Sequence, residues 1–278
     1  STSFDRTDYY INLPANELAL ALWIESERLM HAVIDNDGVE TQREVVKEER
    51  RGRYENQPYG SIMENMAKAV FDGTPYEWTP IGSAQYIDSA TIEEFRDFYK
   101  KWYVPNNATL AIAGDIDIEE TKLLVERYFG EIQRGPDPER VAIDWDLEAP
   151  VTTKVVEEAM TPLPATVHIW RAPVLTDEDA EAIELLINIL AIGKSSRLYR
   201  RLVDTERAAG NAAAFTWLQE KAGLVAAYAI GNRGVSIEQL DALVEEEVQK
   251  LVDEGVTSKE LQKALNQKEA EIASSVGT

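Results

Sequence analysis

The sequence contains no cysteine. Thiolate nucleophiles, cysteine-ligated zinc and disulfides are therefore excluded together, and the redox compartment stays open. Histidine is nearly as scarce, with two in 278 residues. Basic charge is short as well: 28 Lys and Arg stand against 50 Asp and Glu, a formal net charge of −22. A surface of that sign repels phosphate backbones, so no nucleic-acid partner is expected. The excess reads as a solvated acidic surface, with only weak support for a preference for basic peptides. No apolar run approaches the roughly 18 residues needed to span a bilayer, so no membrane span is expected. The opening Ser1-Thr-Ser-Phe4 shows no targeting signal. There is no Walker loop, no G-x-G-x-x-G, and no G-x-S-x-G elbow of a serine hydrolase.

What is present is ordinary for a soluble globular protein, at 44% hydrophobic and 28% charged residues. The length allows one large domain or two of average size. Ser1 to Leu13 alternates enough to read as a strand. Helices are expected near Leu18–Leu29, Thr41–Asn56, Ser61–Phe71, Ile92–Trp102 and Ile118–Tyr128, with Thr91 and Glu94 forming a capping-box pattern. A short strand is expected at Ala108–Ala113. After the Pro- and Gly-bearing stretch the pattern restarts, with strands near Thr152–Val156, Thr166–Arg171, Asn211–Trp217 and Gly223–Ile230. Helices near Glu178–Ile192, Arg197–Asp204, Ile237–Asp253 and Lys259–Ala273 complete it. Hairpin-like strand pairs argue for an α+β fold of two related subdomains, each a mainly antiparallel sheet with helices on one face. The division expected is 1–135, a linker at 136–150, and 151–278, and the chain reads as cut short at its end.

His31 and His168 lie far apart and read as structural. The segment Thr41–Gly60 is more informative. At ~100° per residue, with Val45 at zero, Val46 sits near ~100°, Glu49 near ~40° and Gln42 near ~60°. Glu44, Lys47, Glu48 and Arg51 fall on the opposite side, where solvent is expected. Glu49 thus projects from the face expected to pack, and a buried carboxylate needs a cation, a metal or several donors. Arg53, at i+4, would supply the cation, and helix geometry alone favours that ion pair over a metal.

The run Arg43-Glu-Val-Val-Lys-Glu-Glu-Arg-Arg51 resembles a helix of pitrilysin/insulinase-type zinc peptidases, the family of mitochondrial processing peptidase. So do Ser1–Tyr10, Thr79–Ser83, Asn106–Asp115 and Gly193–Leu202, in the family's order along nearly the whole chain. The resemblance implies a half-clamshell fold, zinc-dependent endopeptidase activity, a peptide substrate, and a second peptidase-like half in the same chain or another subunit. It assigns Glu49 as a metal ligand and Gln42 as its neighbour in the outer shell. Ser1 and Thr2 fall at the start of a substrate-pairing edge strand. In the family, an H-x-x-E-H motif supplies two zinc-binding histidines and the general base, and this chain lacks it. No catalytic residue is therefore assigned here, and the chain alone is expected to hold zinc poorly and hydrolyse nothing. Val203 and Gly210 stand where the helper half carries an Arg and a Tyr, so the likeness is to the zinc-bearing half.

Three readings follow: a piece of an active zinc endopeptidase, truncated before Ser1 and after Thr278; a non-catalytic peptidase-like subunit for binding or assembly; and a peptide-binding module unrelated to peptidases. Unpaired sheet edges also suggest a homodimer through strand pairing. The resemblance points to the periplasm or cell envelope, while the residues themselves fix no compartment.

Overall fold

A computed structural model describes residues 1–151, 155–158 and 160–276. Contacts divide the chain into two compact units, Ser1–Arg53 with Pro80–Ala142, and Tyr54–Thr79 with Ile143–Thr278. The stretch Tyr54–Thr79 thus joins the second unit, so the units do not follow a simple linear division.

The second unit is built on a three-stranded antiparallel sheet, in the order β1 (Ala165–Ala172), β3 (Gly223–Gly231), β2 (Ala209–Leu218). The central strand reads Gly-Leu-Val-Ala-Ala-Tyr-Ala-Ile-Gly and is almost continuously buried, as expected of a strand covered on both faces. Register sets what each face carries. His168 lies opposite Ala227 and Trp170 opposite Val225, while Trp217 lies opposite Leu224.

On one face, Val225, Ala227 and Ala229 meet Leu190 of α7 (Ala180–Ala191) and Leu240 and Val244 of α8 (Ile237–Glu254). Helix α8 starts at Ser236, whose hydroxyl accepts the Gln239 N–H at 3.2 Å. Its buried positions Leu240, Leu243, Val244, Glu247 and Leu251 repeat at helical spacing. The opposite face is covered by α3 (Ile62–Phe71), so helices are not confined to one side. There the fully buried Phe71 ring packs 5.8 Å from Trp217 and 5.4 Å from Trp145. Helix α9 (Ser258–Val276) is tied down at its start. Arg197 grips Glu260 through Nε and Nη2 at 2.7 and 2.9 Å, and Glu260 also accepts the Thr257 N–H at 2.9 Å. The short helix expected near Arg197–Asp204 is a π-helical turn at Tyr199–Thr205.

The first unit carries α1 (Leu18–His31), α2 (Asn36–Arg50), α4 (Ala84–Ser89), α5 (Ile92–Trp102) and α6 (Ile118–Phe129). The Thr91–Glu94 capping box forms as expected. Helix α4 was not anticipated from sequence. Its six residues start at Ser83, whose hydroxyl accepts from the Tyr86 N–H at 3.3 Å. Of the unit's apolar side chains, only Leu22 and Val104 are buried among the described residues. A polar-edged ring cluster supplements them: Tyr99 and Tyr103 stack at 4.5 Å, and the Arg28 guanidinium lies 4.3 Å from the Tyr9 ring.

Two expected strands of this unit do not form. Ser1–Leu13 contains only an isolated antiparallel bridge between Thr2 and Thr7, and Ala108–Ala113 has no strand partner among the described residues. Apolar alternation is not enough without a neighbour to take the backbone hydrogen bonds. The strand expected at Thr152–Val156 falls mostly on 152–154, outside the described residues, and Val155 and Val156 are not in a strand.

Replacing Phe71 with Ala should destabilise the protein by about 3–5 kcal/mol, read from urea denaturation, because the surrounding rings of Tyr76, Trp145 and Trp217 cannot collapse into the void. The Arg197 side chain, together with the Thr257 donors, holds the Glu260 carboxyl down at about 2. A carboxyl depressed in the folded state adds stability that is complete above its ordinary value and is lost as pH falls toward about 2. Thermal melts between pH 7 and 2.5 should therefore show a loss below about pH 4.5 that is smaller in Glu260→Gln. An identical acid profile in the two proteins would refute it.

Candidate functional site

Helix α2 begins at Asp35, whose carboxylate accepts the Gly38 N–H at 2.8 Å, and three long cations decide how the helix docks. The Arg43 guanidinium donates to the carbonyls of Ile87 and Ala90, the latter at 2.8 Å. Lys47 sits between Asp88 at 2.8 Å and Glu44 at 3.1 Å. Arg50 donates to the Gly82 carbonyl at 2.8 Å. The Asp88 hydrogen bond, with that from Glu44, holds the Lys47 ammonium above its ordinary value, and Lys47 in turn holds the Asp88 carboxyl below its own. Arg43 satisfies carbonyls at the C-terminal end of α4, where a helix leaves acceptors open, and Arg50 binds the Gly82 carbonyl just before its start.

This docking turns the packed face by roughly a quarter of a turn from the one assigned from sequence. On the same helical wheel, Arg43, Lys47 and Arg50 lie near ~160°, ~200° and ~140°, beside the half-buried Val46 near ~100°, and of the three only Lys47 falls on the side expected to face solvent. Gln42, Val45 and Glu49 lie on the open side, and Val45 is 53% exposed. Glu49 is therefore not a buried carboxylate. Its Oε1 lies 3.1 Å from Arg53 Nη2, with the two side chains 39% and 72% exposed. The ion pair that geometry alone favoured is present, but as a surface pair. Of the two valines taken to mark the packed side only Val46 is half-buried, and Arg43, Lys47 and Arg50, which find carbonyls and a carboxylate on α4 and its flanks, mark the rest of it.

The other predicted positions are dispersed. Ser1 and Thr2 sit in a small self-closed hairpin, where the Asp8 N–H donates to the Ser1 carbonyl at 2.7 Å and Ser3 N–H to Arg6 at 2.9 Å. No open edge strand is offered there. His31 is a surface residue with Nδ1 2.9 Å from Glu27 Oε2. His168 lies in β1, with Nε2 2.8 Å from Asp241 Oδ1.

Zinc sites use at least three protein ligands. Among the described residues no group of three or more His, Asp or Glu side chains is placed to hold a metal. Glu49, a single carboxylate already paired with a guanidinium, does not fit such an ion on its own.

The family model described as "Peptidase M16 inactive domain" matches residues 89–268, well over half of the chain. The chain belongs to the peptidase M16 family. This agrees with the resemblance to pitrilysin/insulinase-type peptidases. The matched span includes neither Gln42 nor Glu49. The zinc protease PqqE of Helicobacter pylori is 29% identical over 272 residues, covering 96% of this M16 chain and 61% of that protein. The uncharacterized zinc protease YmxG of Bacillus subtilis is 23% identical, with 96% and 63% covered. The chain thus spans about three-fifths of the length of these curated relatives. Among solved structures, a protease from Helicobacter pylori superimposes with a TM-score of 0.84 at 26% identity, over 93% of this chain and 63% of that one. The periplasmic protease PqqL from Escherichia coli shares the fold, with a TM-score of 0.69 at 18% identity, over 94% of this chain and 29% of that one. No helix among the described residues is long and apolar enough to cross a membrane.

Exposed i,i+4 ion pairs contribute little to stability. Glu49→Gln should therefore leave the melting temperature of the chain within about 2 °C of wild type. A larger drop would mean that Glu49 carries a packing role absent from its position at the surface.

Proposed function

We propose that this chain is part of a zinc-dependent endopeptidase, in which Glu49 contributes one carboxylate to a metal held mainly by residues outside the chain. The carrying observation is the open face of α2, where Gln42, Val45 and Glu49 stand together while the opposite face is pinned by Arg43, Lys47 and Arg50. A pinned helix fixes the direction of its free side, which is what a metal ligand requires. Membership of the M16 family and two relatives named as zinc proteases support the reading.

The whole protein would act on peptides and bring a second peptidase-like half to the first. One solved relative, described as the first half of the periplasmic protease PqqL, supports both an organisation in halves and an envelope location. Ser1 and Thr2 would pair with substrate backbone only after the hairpin around them opens. A second reading, a non-catalytic peptidase-like subunit, is favoured by the description of the matched domain as inactive.

Metal analysis of the whole protein separates the two. Glu49→Gln should reduce bound zinc at least about tenfold with the fold intact, since loss of even outer-shell partners costs that much. Stoichiometric zinc in both proteins would confine Glu49 to its pair with Arg53 and sink its assignment as a ligand. A wild-type protein that holds no zinc would leave the non-catalytic reading.

A further inference from the structure

Within the second unit, a cleft of about 500 Å³ opens beside β1. β3 pairs with one edge of that strand, and no strand pairs with the other among the described residues. Four consecutive residues, Val167, His168, Ile169 and Trp170, line the cleft. Alternate strand residues point to opposite faces. A cavity that touches four in a row therefore runs along the edge that no described strand pairs and does not lie over one face.

The cleft's charge is one-sided. Glu158, Asp241 and Glu245 line it, and no lysine or arginine does among the described residues. Glu158 is held ionised: it accepts the Ser61 hydroxyl, the Ser61 N–H at 3.0 Å and the Thr161 hydroxyl at 2.9 Å. The Ser61 hydroxyl, with these other donors, keeps its carboxyl below the ordinary range. Asp241 Oδ1 accepts the Thr166 hydroxyl at 2.8 Å and lies 2.8 Å from His168 Nε2, so its position is set from β1. Glu245 follows one turn later on α8 and is exposed. Beside them the Trp170 ring, stacked on His168 at 6.0 Å, is 37% exposed. On the far wall Tyr59 holds an uncommon φ of 62°, and its hydroxyl donates to the Leu163 carbonyl at 2.9 Å.

The geometry points to a subsite for a basic side chain: an arginine or lysine of an extended peptide lying along the free edge of β1, its stem on Trp170 and its cation between Asp241 and Glu245. Each element has a physical reason. Three carboxylates with no lysine or arginine beside them among the described lining residues favour a positive guest and repel phosphates and acidic peptides. An indole face adds attraction for a guanidinium or ammonium. A strand edge left unpaired among the described residues offers alternating N–H and C=O groups that only an extended backbone can take in series. The volume lies in the range of ordinary ligand sites and holds a short segment, not a folded domain. The choice of a peptide as occupant rests on the peptidase reading. The binding itself does not, because it requires neither zinc nor cleavage.

The test is calorimetric titration of the chain with a blocked pentapeptide, Ala-Val-Arg-Val-Ala, and with the same peptide carrying citrulline in place of arginine. Citrulline keeps the shape and removes the charge. The arginine peptide should bind about tenfold more tightly, and Glu245→Gln should remove most of that difference. Glu246→Gln, a charge change one residue away and outside the cleft lining, should leave it unchanged. Equal affinities for the two peptides, no measurable binding of either, or equal weakening by Glu245→Gln and Glu246→Gln would each overturn the subsite. Arginine amide binding as tightly as the peptide would overturn the strand-edge pose. Because no cleavage is read, a failure of the peptidase reading leaves these outcomes unchanged.

Discussion

Because β3 is paired along both edges and covered on both faces, every side chain it carries must fit between fixed neighbours. Ala226, Ala227 and Ala229 are completely buried there, as is Leu224 opposite Trp217. Small residues let α7 and α8 approach one face while Phe71 and its ring neighbours approach the other. The strand can begin only where Gly223 passes the carbonyls of Ala172 and Pro173, since a Cβ at that position would collide with both. Once β3 is placed, antiparallel register turns Thr166, His168 and Trp170 toward α8 and Val167 and Ile169 the other way. The cleft beside β1 is a consequence of that register, because a one-residue slip would exchange the two sets.

The first unit is organised on a different principle. Two buried apolar side chains cannot account for its order, and much of what positions its elements is polar. Arg43 and Arg50 reach carbonyls bounding α4, Arg96 Nη2 reaches the Ile34 carbonyl at 2.9 Å, and the Tyr99 hydroxyl donates to the Arg28 carbonyl. Such bonds are directional, so they fix helix orientation more sharply than an equal area of apolar contact does. They also contribute less net stability per contact, because water competes for the same groups in the unfolded chain. Apolar side chains such as Trp23 and Phe98 remain exposed, at 50% and 59%.

That difference explains how much could be read from the residues. In the second unit, apolar spacing and burial coincide, so β2, β3, α8 and α9 fall where alternation and helical periodicity put them. In α5, the Thr91–Glu94 capping box announced the helix start, because both its partners lie within one turn. Helix α4 escaped notice because six residues give too little periodicity, although Ser83 was a usable cap signal. The face of α2 was misassigned because Arg43, Lys47 and Arg50 look like a solvated charge stripe until their carbonyl and carboxylate partners on and beside α4 are in place. The cleft was illegible for a similar reason. Tyr59, Glu158, His168 and Asp241 come from four separate segments, and no local pattern links them.

The two proposed sites share a physical logic despite opposite surroundings. At Glu49, a neighbouring guanidinium balances the carboxylate in solvent, so displacing Arg53 by another cation costs little and gains whatever the new ligand set provides. In the cleft, Glu158 is balanced by neutral hydroxyl and amide donors, which hold the charge in position without cancelling it. The first arrangement is exchangeable and the second is not. A chain with a net charge of −22 carries many carboxylates that only attract cations diffusely. What distinguishes Asp241 and Glu158 from that background is that hydroxyls from separate segments fix them beside an exposed indole and a free strand edge. Selectivity for one guest over the general field comes from that fixation, because a mobile surface carboxylate gives up as much side-chain entropy on pairing as it gains in attraction.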